Sequence, residues 1–169
     1  TSVLDMGNSG TAARLLIGVV ASHSFKTTIN GDISLSSRPM ERVMSPLRLM
    51  GAQFTARSGG RLPITVNGSL RPIPISYELP IASAQIKSAV LLAGLNTPGL
   101  TTIIELEPTR DHTERMLSHF GAQVNVKELP KGGKNISIYG QPELIGHSVT
   151  VPGDFSSAAF AMVATLVVP

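Results

Sequence analysis

The sequence contains no cysteine and no tryptophan, and only 4% of its residues are aromatic. The absence of cysteine excludes a disulfide framework and a thiolate metal site, and it is typical of a cytoplasmic protein. The four histidines, His23, His112, His119 and His147, have no H-x-x-x-H or similar spacing, so we expect no metal site. The aromatic residues are too few to predict a nucleic-acid surface that stacks bases.

Long runs of one charge and long hydrophobic runs are also missing. The 14 basic and 11 acidic residues give a formal charge of +3 without a cluster that would bind a polyanion. The longest apolar stretches, residues 15–21 and 158–168, fall short of the roughly 20 residues that span a bilayer. We therefore expect a globular protein, 42% hydrophobic, whose partners are small anions rather than nucleic acid or a membrane.

One segment joins a glycine-rich turn to an apolar helix. Residues 7–16 read GNSGTAARLL, so Ser9 and Thr11 stand where side-chain oxygens cap a helix, and Gly10 lets the backbone approach a ligand. The N-terminus of a helix attracts anions, because its first N–H groups carry a partial positive charge. An ordinary capped core helix has the same pattern, so this segment alone leaves both interpretations open.

The pattern occurs three times at a constant spacing. Apolar helices are predicted to begin near Ser9, Ser83 and Ser157, and 74 residues separate each serine from the next. Such regularity predicts duplicated structural units. We therefore predict two units, residues about 7–80 and 81–151, and the beginning of a third.

Each unit is predicted to contain the same elements in the same order. A buried helix is followed by a strand, an amphipathic helix and three strands, which is a βαβαββ unit with a shifted starting point. The first unit has a buried helix ending near residue 21, an amphipathic helix at 40–50 and strands at 25–29, 52–56, 62–66 and 75–79. The second has helices at 83–95 and 113–120 and strands at 100–104, 123–127, 135–139 and 147–151.

Two arginines precede the amphipathic helices at equivalent positions of the units. A guanidinium group can bind phosphate or carboxylate through two parallel hydrogen bonds, so Arg38 and Arg110 are candidates for an anion site. Ser83 and Gln85 add neutral donors and acceptors at the start of the second buried helix. Lys87, on the same helix, is predicted to extend into solvent.

The sequence shows no catalytic dyad and no nucleotide-binding motif. G-x-S-x-G is absent, and the glycine-rich turns lack the spacing of a Walker loop or a dinucleotide fingerprint. Asp111, Glu114 and Asp154 lie in first turns of predicted helices, where the helix dipole explains an acidic residue. We therefore predict that these three residues are helix caps rather than general acids.

Five motifs, in this order and spacing, resemble the 3-phosphoshikimate 1-carboxyvinyltransferase family, also called the EPSP synthase family. They are LDMGNSGTAARL at 4–15, GD at 31–32 with SL at 34–35 and RPM at 38–40, ASAQIKSA at 82–89, TRDHTE at 109–114 and PGDFSS at 152–157. The likeness extends over the whole chain. The run Ser83-Ala84-Gln85 is similar to the class II branch, since other members have two serines before the glutamine.

The resemblance implies an α/β (α+β) fold in which repeated βαβαββ units form an inside-out barrel, with buried helices surrounded by sheets. It implies two domains with the active site between them: residues 1–151 would be most of the first domain, and residues 152–169 the start of the second. The family's N-terminal Lys-Ser-Arg segment and the acid–base groups of the second domain are absent. We therefore expect a fragment without catalytic residues, inactive alone, of an enzyme that is cytoplasmic and monomeric when intact.

The implied reaction belongs to the shikimate pathway, which leads to chorismate and the aromatic amino acids. It transfers the enolpyruvyl group of phosphoenolpyruvate to the 5-hydroxyl of shikimate 3-phosphate, releasing phosphate through a tetrahedral intermediate, and no metal or organic cofactor is implied. By motif matching, the residues implied to contact phosphoenolpyruvate are Gly10, Arg38 and Gln85, with Asn8 and Thr11 as weaker candidates. Those implied to contact shikimate 3-phosphate are Ser83, Ala84, Gln85 and Arg110.

Glyphosate competes with phosphoenolpyruvate in this family, and tolerant members carry alanine at the position of Gly10. The resemblance therefore implies that the intact enzyme is sensitive to glyphosate.

Two alternative functions stay open. One is the related UDP-N-acetylglucosamine enolpyruvyl transferase, although most members of that group need a reactive cysteine. The other is a non-catalytic repeat module that binds anions or RNA, because βαβαββ units also occur in RNA-processing proteins.

We also expect the helix at 157–168 to cover the flank of the buried helices, in the same chain or in a neighbouring one.

Overall fold

The computed structural model describes residues 2–130 and 132–168. The first unit consists of β1 (Ser2–Asp5), α1 (Gly10–Ala21), β2 (Lys26–Asn30), α2 (Ile33–Ser36), α3 (Glu41–Leu49), β3 (Gln53–Arg57) and β4 (Arg61–Asn67). The second consists of β5 (Ser76–Glu78), α4 (Ala84–Leu95), β6 (Leu100–Glu105), α5 (His112–His119), β7 (Val124–Glu128) and β8 (Lys134–Tyr139). The helix α6 (Phe155–Val167) follows.

The two units contain four-stranded sheets with the same strand order. The order is β1-β2-β4-β3 in the first sheet and β5-β6-β8-β7 in the second. In each sheet the first pair is parallel and the other two pairs are antiparallel. Val3 lies opposite Thr28 in the first sheet, and Tyr77 lies opposite Ile103 in the second. A helix, α1 or α4, makes the crossover between the parallel strands. The prediction of repeated βαβαββ units is confirmed, but the assignment of the strand at 75–79 to the first unit is wrong, because β5 pairs with β6 in the second sheet.

One face of each sheet is buried. In β4 the side chains of Leu62, Ile64 and Val66 are fully buried, and the residues between them are exposed or half-buried. In β8 the buried positions are Ile136 and Ile138. This alternation is expected where an antiparallel pair covers helices on one side and meets water on the other.

The two apolar helices, α1 and α4, run side by side in the same direction. At their starts the Gln85 side-chain amide donates a hydrogen bond to Thr11 Oγ1 (2.9 Å), and at their ends the Asn96 amide donates to the carbonyl oxygen of Ser22 (2.6 Å). Both bonds join residues that are 74 positions apart and therefore equivalent in the two units. Contacts between equivalent residues at both ends require parallel helices, so both N-termini lie at one end of the pair.

The amphipathic helices end as the sequence predicts. α3 buries Val43, Met44 and Leu47, and α5 buries Leu117. Each helix is followed by a glycine with positive φ, Gly51 (100°) and Gly121 (93°). This left-handed conformation favours glycine and closes a helix by satisfying its last carbonyl groups.

The predicted strand at 147–151 is wrong. Residues 142–154 belong to no helix or strand, and nearly all of them are exposed. By the repeat, this strand would correspond to β5, which pairs with the strand that follows the next helix. No described strand lies beside this segment, and a strand without a neighbour leaves its backbone N–H and C=O groups unpaired.

The predicted third helix forms as α6, but its predicted position is wrong for this chain. None of its described residues is buried, and Phe160 and Leu166 are 83% and 86% exposed. α6 thus does not cover the flank of α1 and α4 in the same chain, since a covering helix would have one face buried. Packing against a neighbouring chain stays a prediction.

None of the helices in the described part of the chain has the length and apolar character needed to cross a bilayer.

Candidate functional site

Serine side chains cap the adjacent starts of α1 and α4. Ser9 Oγ accepts a hydrogen bond from the Ala12 N–H (3.2 Å), and Ser83 Oγ accepts one from the Ile86 N–H (3.4 Å). The prediction of a cap at Ser9 is confirmed, whereas Thr11 accepts from Gln85 instead of capping. Two parallel N-termini side by side carry partial positive charge at the same end of the molecule.

A pocket of about 180 Å³ lies between the two helix starts. It is lined by Thr11, Leu15, Ala84, Gln85, Ser88, Arg110, His112 and Thr113. Four of the predicted site residues, namely Thr11, Ala84, Gln85 and Arg110, therefore face one cavity, and the capping residue Ser83 is not part of its lining. Small-molecule pockets usually measure about 300–1,000 Å³, so this cavity is smaller than a typical ligand site.

Arg38 faces the start of α1 from the other side. Its Nη2 donates to Asn8 Oδ1 (3.4 Å) and to Ser34 Oγ (3.3 Å). A methyl group placed on Gly10 would lie 3.2 Å from Arg38 Nη1 and 2.8 Å from Arg14 Nη1. The structure thus brings Asn8, Gly10 and Arg38 together, as the sequence predicts, and adds Arg14.

The sequence analysis missed Arg14. Its Nη1 donates to the carbonyl oxygen of Gly10 (3.3 Å), and burial, with a further contribution from the positive charge of Arg38, lowers its pKa. Within residues 2–130 and 132–168, neither Arg14 nor Arg38 forms an ion pair with a carboxylate. Two neighbouring guanidinium groups without an acidic partner favour a bound anion. The sequence does contain a signal that could have identified Arg14 as a site residue, because it is the single arginine at the start of an otherwise apolar stretch.

Asp32 was also missed as a site residue, because the sequence places it only in a turn. Its Oδ1 accepts from the Leu35 N–H (2.7 Å), which caps α2, and its Oδ2 accepts from the Asn8 amide (2.6 Å). The bond from Leu35 and then that from Asn8 lower the pKa of Asp32, and the charge of Arg38 contributes less. Because the amide nitrogen of Asn8 is bound to Asp32, its oxygen is directed at Arg38.

Lys87 is fully buried, so the prediction that it extends into solvent is wrong. Its Nζ lies 3.1 Å from Glu105 Oε2 and 2.6 Å from Glu114 Oε1. α4 is buried around most of its circumference, which leaves the side chain no route to water, and a buried ammonium group needs charged partners.

The predicted helix caps have different outcomes. Glu114 is not a cap, because its carboxylate turns inward to pair with Lys87. Asp111 occupies the N-cap position of α5 without a side-chain capping bond. Asp154 does cap α6, accepting from the Ser156 N–H (2.9 Å). In the described part of the chain, no three His, Asp or Glu side chains are placed together to hold a metal ion.

The protein-family model described as EPSP synthase (3-phosphoshikimate 1-carboxyvinyltransferase) matches residues 1–169. The chain belongs to the EPSP synthase family. It is 61% identical over 166 residues to the 3-phosphoshikimate 1-carboxyvinyltransferase of Paramagnetospirillum magneticum. The matched region is 98% of this chain and 37% of that protein. It is 58% identical over 167 residues to that of Rhodospirillum rubrum, covering 99% of this chain and 37% of the relative.

The fold is also similar to a solved EPSP synthase, that of Acinetobacter baumannii. The TM-score is 0.82 at 51% sequence identity, over 96% of this chain and 36% of that chain. The predicted fold class, the inside-out α/β barrel of EPSP synthases, is thereby confirmed. The matches favour the EPSP synthase family over the two alternatives, the UDP-N-acetylglucosamine enolpyruvyl transferase and the RNA-binding repeat module. The chain spans about 37% of the length of the curated relatives it matches.

Proposed function

We propose that this chain forms part of a 3-phosphoshikimate 1-carboxyvinyltransferase, with residues 1–151 in the first domain and residues 152–169 at the start of the second. The enzyme transfers the enolpyruvyl group of phosphoenolpyruvate to the 5-hydroxyl of shikimate 3-phosphate and releases phosphate. The observation that carries the proposal is the pair of parallel helix starts, flanked by Arg38 on one side and Arg110 on the other. Both substrates carry phosphate and carboxylate groups, which this arrangement suits.

The phosphoenolpyruvate side of the site is assigned to the start of α1. Gly10 exposes the backbone there, and Arg38 and Arg14 present guanidinium groups that lack carboxylate partners in the described residues. Each hydrogen bond between such a group and an anion contributes about 1.5–3 kcal/mol. Asn8 acts on this side by holding Arg38, since its own donor group is bound to Asp32.

The shikimate 3-phosphate side is assigned to the start of α4. Ala84, Gln85 and Arg110 line the pocket there, and Ser83 caps the helix beside it. Gln85 is assigned to both substrates, because it lines the pocket and bonds to Thr11 on α1. In the proposed enzyme the chain binds and orients the two substrates, which favours reaction between them by proximity. The acid–base groups are assigned to the remainder of the protein.

The finer properties rest on the resemblance and stay predictions. These are the cytoplasmic location, the monomeric state of the intact enzyme, the lack of a cofactor and inhibition by glyphosate. The inhibitor would occupy the phosphoenolpyruvate side, where a methyl group on Gly10 would meet the two guanidinium groups of Arg14 and Arg38.

Single substitutions in the intact enzyme test the assignment. Arg110→Ala is expected to raise KM for shikimate 3-phosphate at least about tenfold with little change in KM for phosphoenolpyruvate, because it removes charge-assisted hydrogen bonds to one substrate only. Arg38→Ala is expected to have the converse effect. Arg71→Ala, which removes an exposed arginine outside the site, is the matched control. Equal effects of Arg110→Ala and Arg71→Ala on steady-state kinetics would contradict the proposal.

A further inference from the structure

We propose that Lys87 is a positioning residue for Arg110, acting through Glu105 and Thr109. The proposal deepens the proposed function and rests on it, because that function assigns Arg110 to shikimate 3-phosphate. Lys87 itself is enclosed in the protein and does not line the pocket.

The ion cluster around Lys87 is shielded from water. Lys87 is 0%, Glu105 1% and Glu114 5% exposed. The lysine Nζ contacts both oxygens of Glu105, at 3.1 and 3.3 Å, and Oε1 of Glu114 at 2.6 Å. Burying such groups costs free energy that an apolar cluster of the same volume would avoid, so the cluster has a role other than stability alone.

The cluster is specific to the second unit. The residue equivalent to Lys87 in α1 is Ala13, which is buried in an apolar environment. Gly31 stands 74 positions before Glu105, and the third residue of α3, where α5 has Glu114, is the buried Val43. The first unit therefore folds without such an ion cluster. The role of the cluster must lie in a feature that only the second unit contains.

Lys87 joins the two ends of the segment that carries Arg110. Glu105 is the last residue of β6 and Glu114 lies in the first turn of α5, so the segment 106–111 runs between them. Thr109 Oγ1 donates to Glu105 Oε2 (2.8 Å) one residue before Arg110. At the far end Ser88, next to Lys87, bonds to Thr113 Oγ1 (2.6 Å). The segment is thus tied to α4 on both sides of Arg110.

The first unit holds its arginine by other means. There the segment 31–40 contains the short helix α2, capped by Asp32, and Arg38 bonds to Asn8 and Ser34. The shorter segment 106–111 has no helix. Its position depends on side-chain bonds instead, and the bond from Thr109 to Glu105, held in turn by Lys87, is the one nearest to Arg110.

The sharpest test replaces Thr109 by valine in the intact enzyme, since valine has nearly the same shape and Thr109 is only half-buried. Thr109→Val is expected to raise KM for shikimate 3-phosphate about tenfold while KM for phosphoenolpyruvate stays unchanged. Thr109→Ser, which keeps the hydroxyl, is expected to restore the wild-type KM. Thr28→Val is the matched control, because it removes a hydroxyl that bonds to Thr65 in the first sheet.

A double-mutant cycle separates positioning from a general loss of structure. In an Arg110→Ala background, Thr109→Val is expected to change KM for shikimate 3-phosphate by less than about twofold, since its effect is exerted through Arg110. An equally large effect in that background would overturn the proposal. Lys87→Met serves as a second variant, whose folding is checked by its thermal unfolding midpoint.

Hydrogen exchange of the amides of residues 106, 107 and 109–115 in the ligand-free enzyme distinguishes this proposal from the proposed function. This range includes the first bonded amide of α5, the Arg115 N–H that donates to Asp111 O (3.1 Å). We call the link from Lys87 through Glu105 to Thr109 the tether. Faster exchange in Thr109→Val and Lys87→Met, with unchanged exchange in Thr28→Val, would support the tether. If exchange is faster but neither Thr109→Val nor Arg110→Ala changes KM for shikimate 3-phosphate, the tether stands and the assignment of Arg110 to that substrate fails. Unchanged exchange in Thr109→Val would overturn the tether whatever the kinetics.

Discussion

Arg38 is held in place by a relay of side chains that begins at Asp32. The carboxylate of Asp32 binds the Asn8 amide nitrogen, and the Asn8 oxygen accepts from Arg38. All three residues are exposed, so none is held by packing. The bonds of this relay, with the bond from Arg38 to Ser34, therefore set the direction of the guanidinium group, and a change at Asp32 should affect Arg38 through Asn8.

The relay makes the stability of the fold depend on pH in the acid range. The bonds from Leu35 and Asn8 lower the pKa of Asp32, so the folded protein favours the charged carboxylate. Its contribution to the free energy of unfolding is complete above the unfolded-state pKa of about 3.9 and is lost as the pH falls through the lower, folded-state pKa.

Asp32→Asn is expected to lower the urea midpoint at pH 7, and the difference from wild type is expected to shrink progressively as the pH falls from about 4 toward the lower folded-state pKa. Asparagine remains a good N-cap residue, so α2 should persist and the charge is what the substitution removes. Urea denaturation followed by circular dichroism between pH 3 and pH 7 measures the difference. A gap that is constant over that range would show that the carboxylate charge is not responsible.

At the scale of elements, the close contact of α1 and α4 determines where both helix starts lie. Gly18 is buried, and a Cβ atom built on it would overlap the backbone of Ala89. Backbone atoms cannot rotate away as a flexible side chain can. The separation of the two helices, and with it the bond from Gln85 to Thr11, therefore requires glycine at position 18.

Gly18→Ala is expected to lower the free energy of unfolding by about 1–3 kcal/mol, the usual cost of overpacking a core. Alanine normally stabilises a helix interior by about 1 kcal/mol relative to glycine, so the sign of the change is informative. Gly146→Ala is the matched control, since a Cβ there would meet no atom within 4 Å. Chemical denaturation measures both variants, and a Gly18→Ala protein as stable as wild type would contradict this account of the helix contact.

At the scale of the whole molecule, two well-packed units are followed by a helix without a partner. α6 carries large apolar side chains, and none of its described residues is buried in this chain. The pocket between α1 and α4 is likewise smaller than a typical ligand site. Under the proposed function, both features follow if the second wall of the active site belongs to the rest of the enzyme.

The isolated chain is accordingly expected to release no phosphate from phosphoenolpyruvate and shikimate 3-phosphate. Its residues supply binding groups but, under the proposal, not the acid–base groups of the reaction. A coupled phosphate assay on the purified chain measures this, with the intact enzyme as the positive control. Phosphate release by the chain at the rate of the intact enzyme would place the catalytic groups within residues 1–169.

Much of the site could be predicted from residues that are close in sequence. The caps at Ser9 and Ser83 follow from local patterns, and the 74-residue spacing relates these two starts. The third helix begins at Phe155, two residues before the predicted Ser157, with Asp154 as its cap. Lys87 could not be predicted in this way. A lysine in the first turns of a helix is normally solvated, and only the neighbours of α4 reveal that this one has no path to water.

By itself the sequence determined the order and ends of most elements and the duplication, because hydrophobic period, capping residues and glycine turns act within a few positions along the chain. The short elements β1 and α2 were not predicted. Only the tertiary structure decided which side chains meet across that order: Gln85 with Thr11, Arg14 with Arg38, and Lys87 with its two glutamates. It also decided that residues 147–151 form no strand, since a strand depends on a partner elsewhere in the chain. The physical reason is the same in each case: hydrogen bonds and ion pairs between distant residues exist only once the path of the backbone has brought them within about 3 Å.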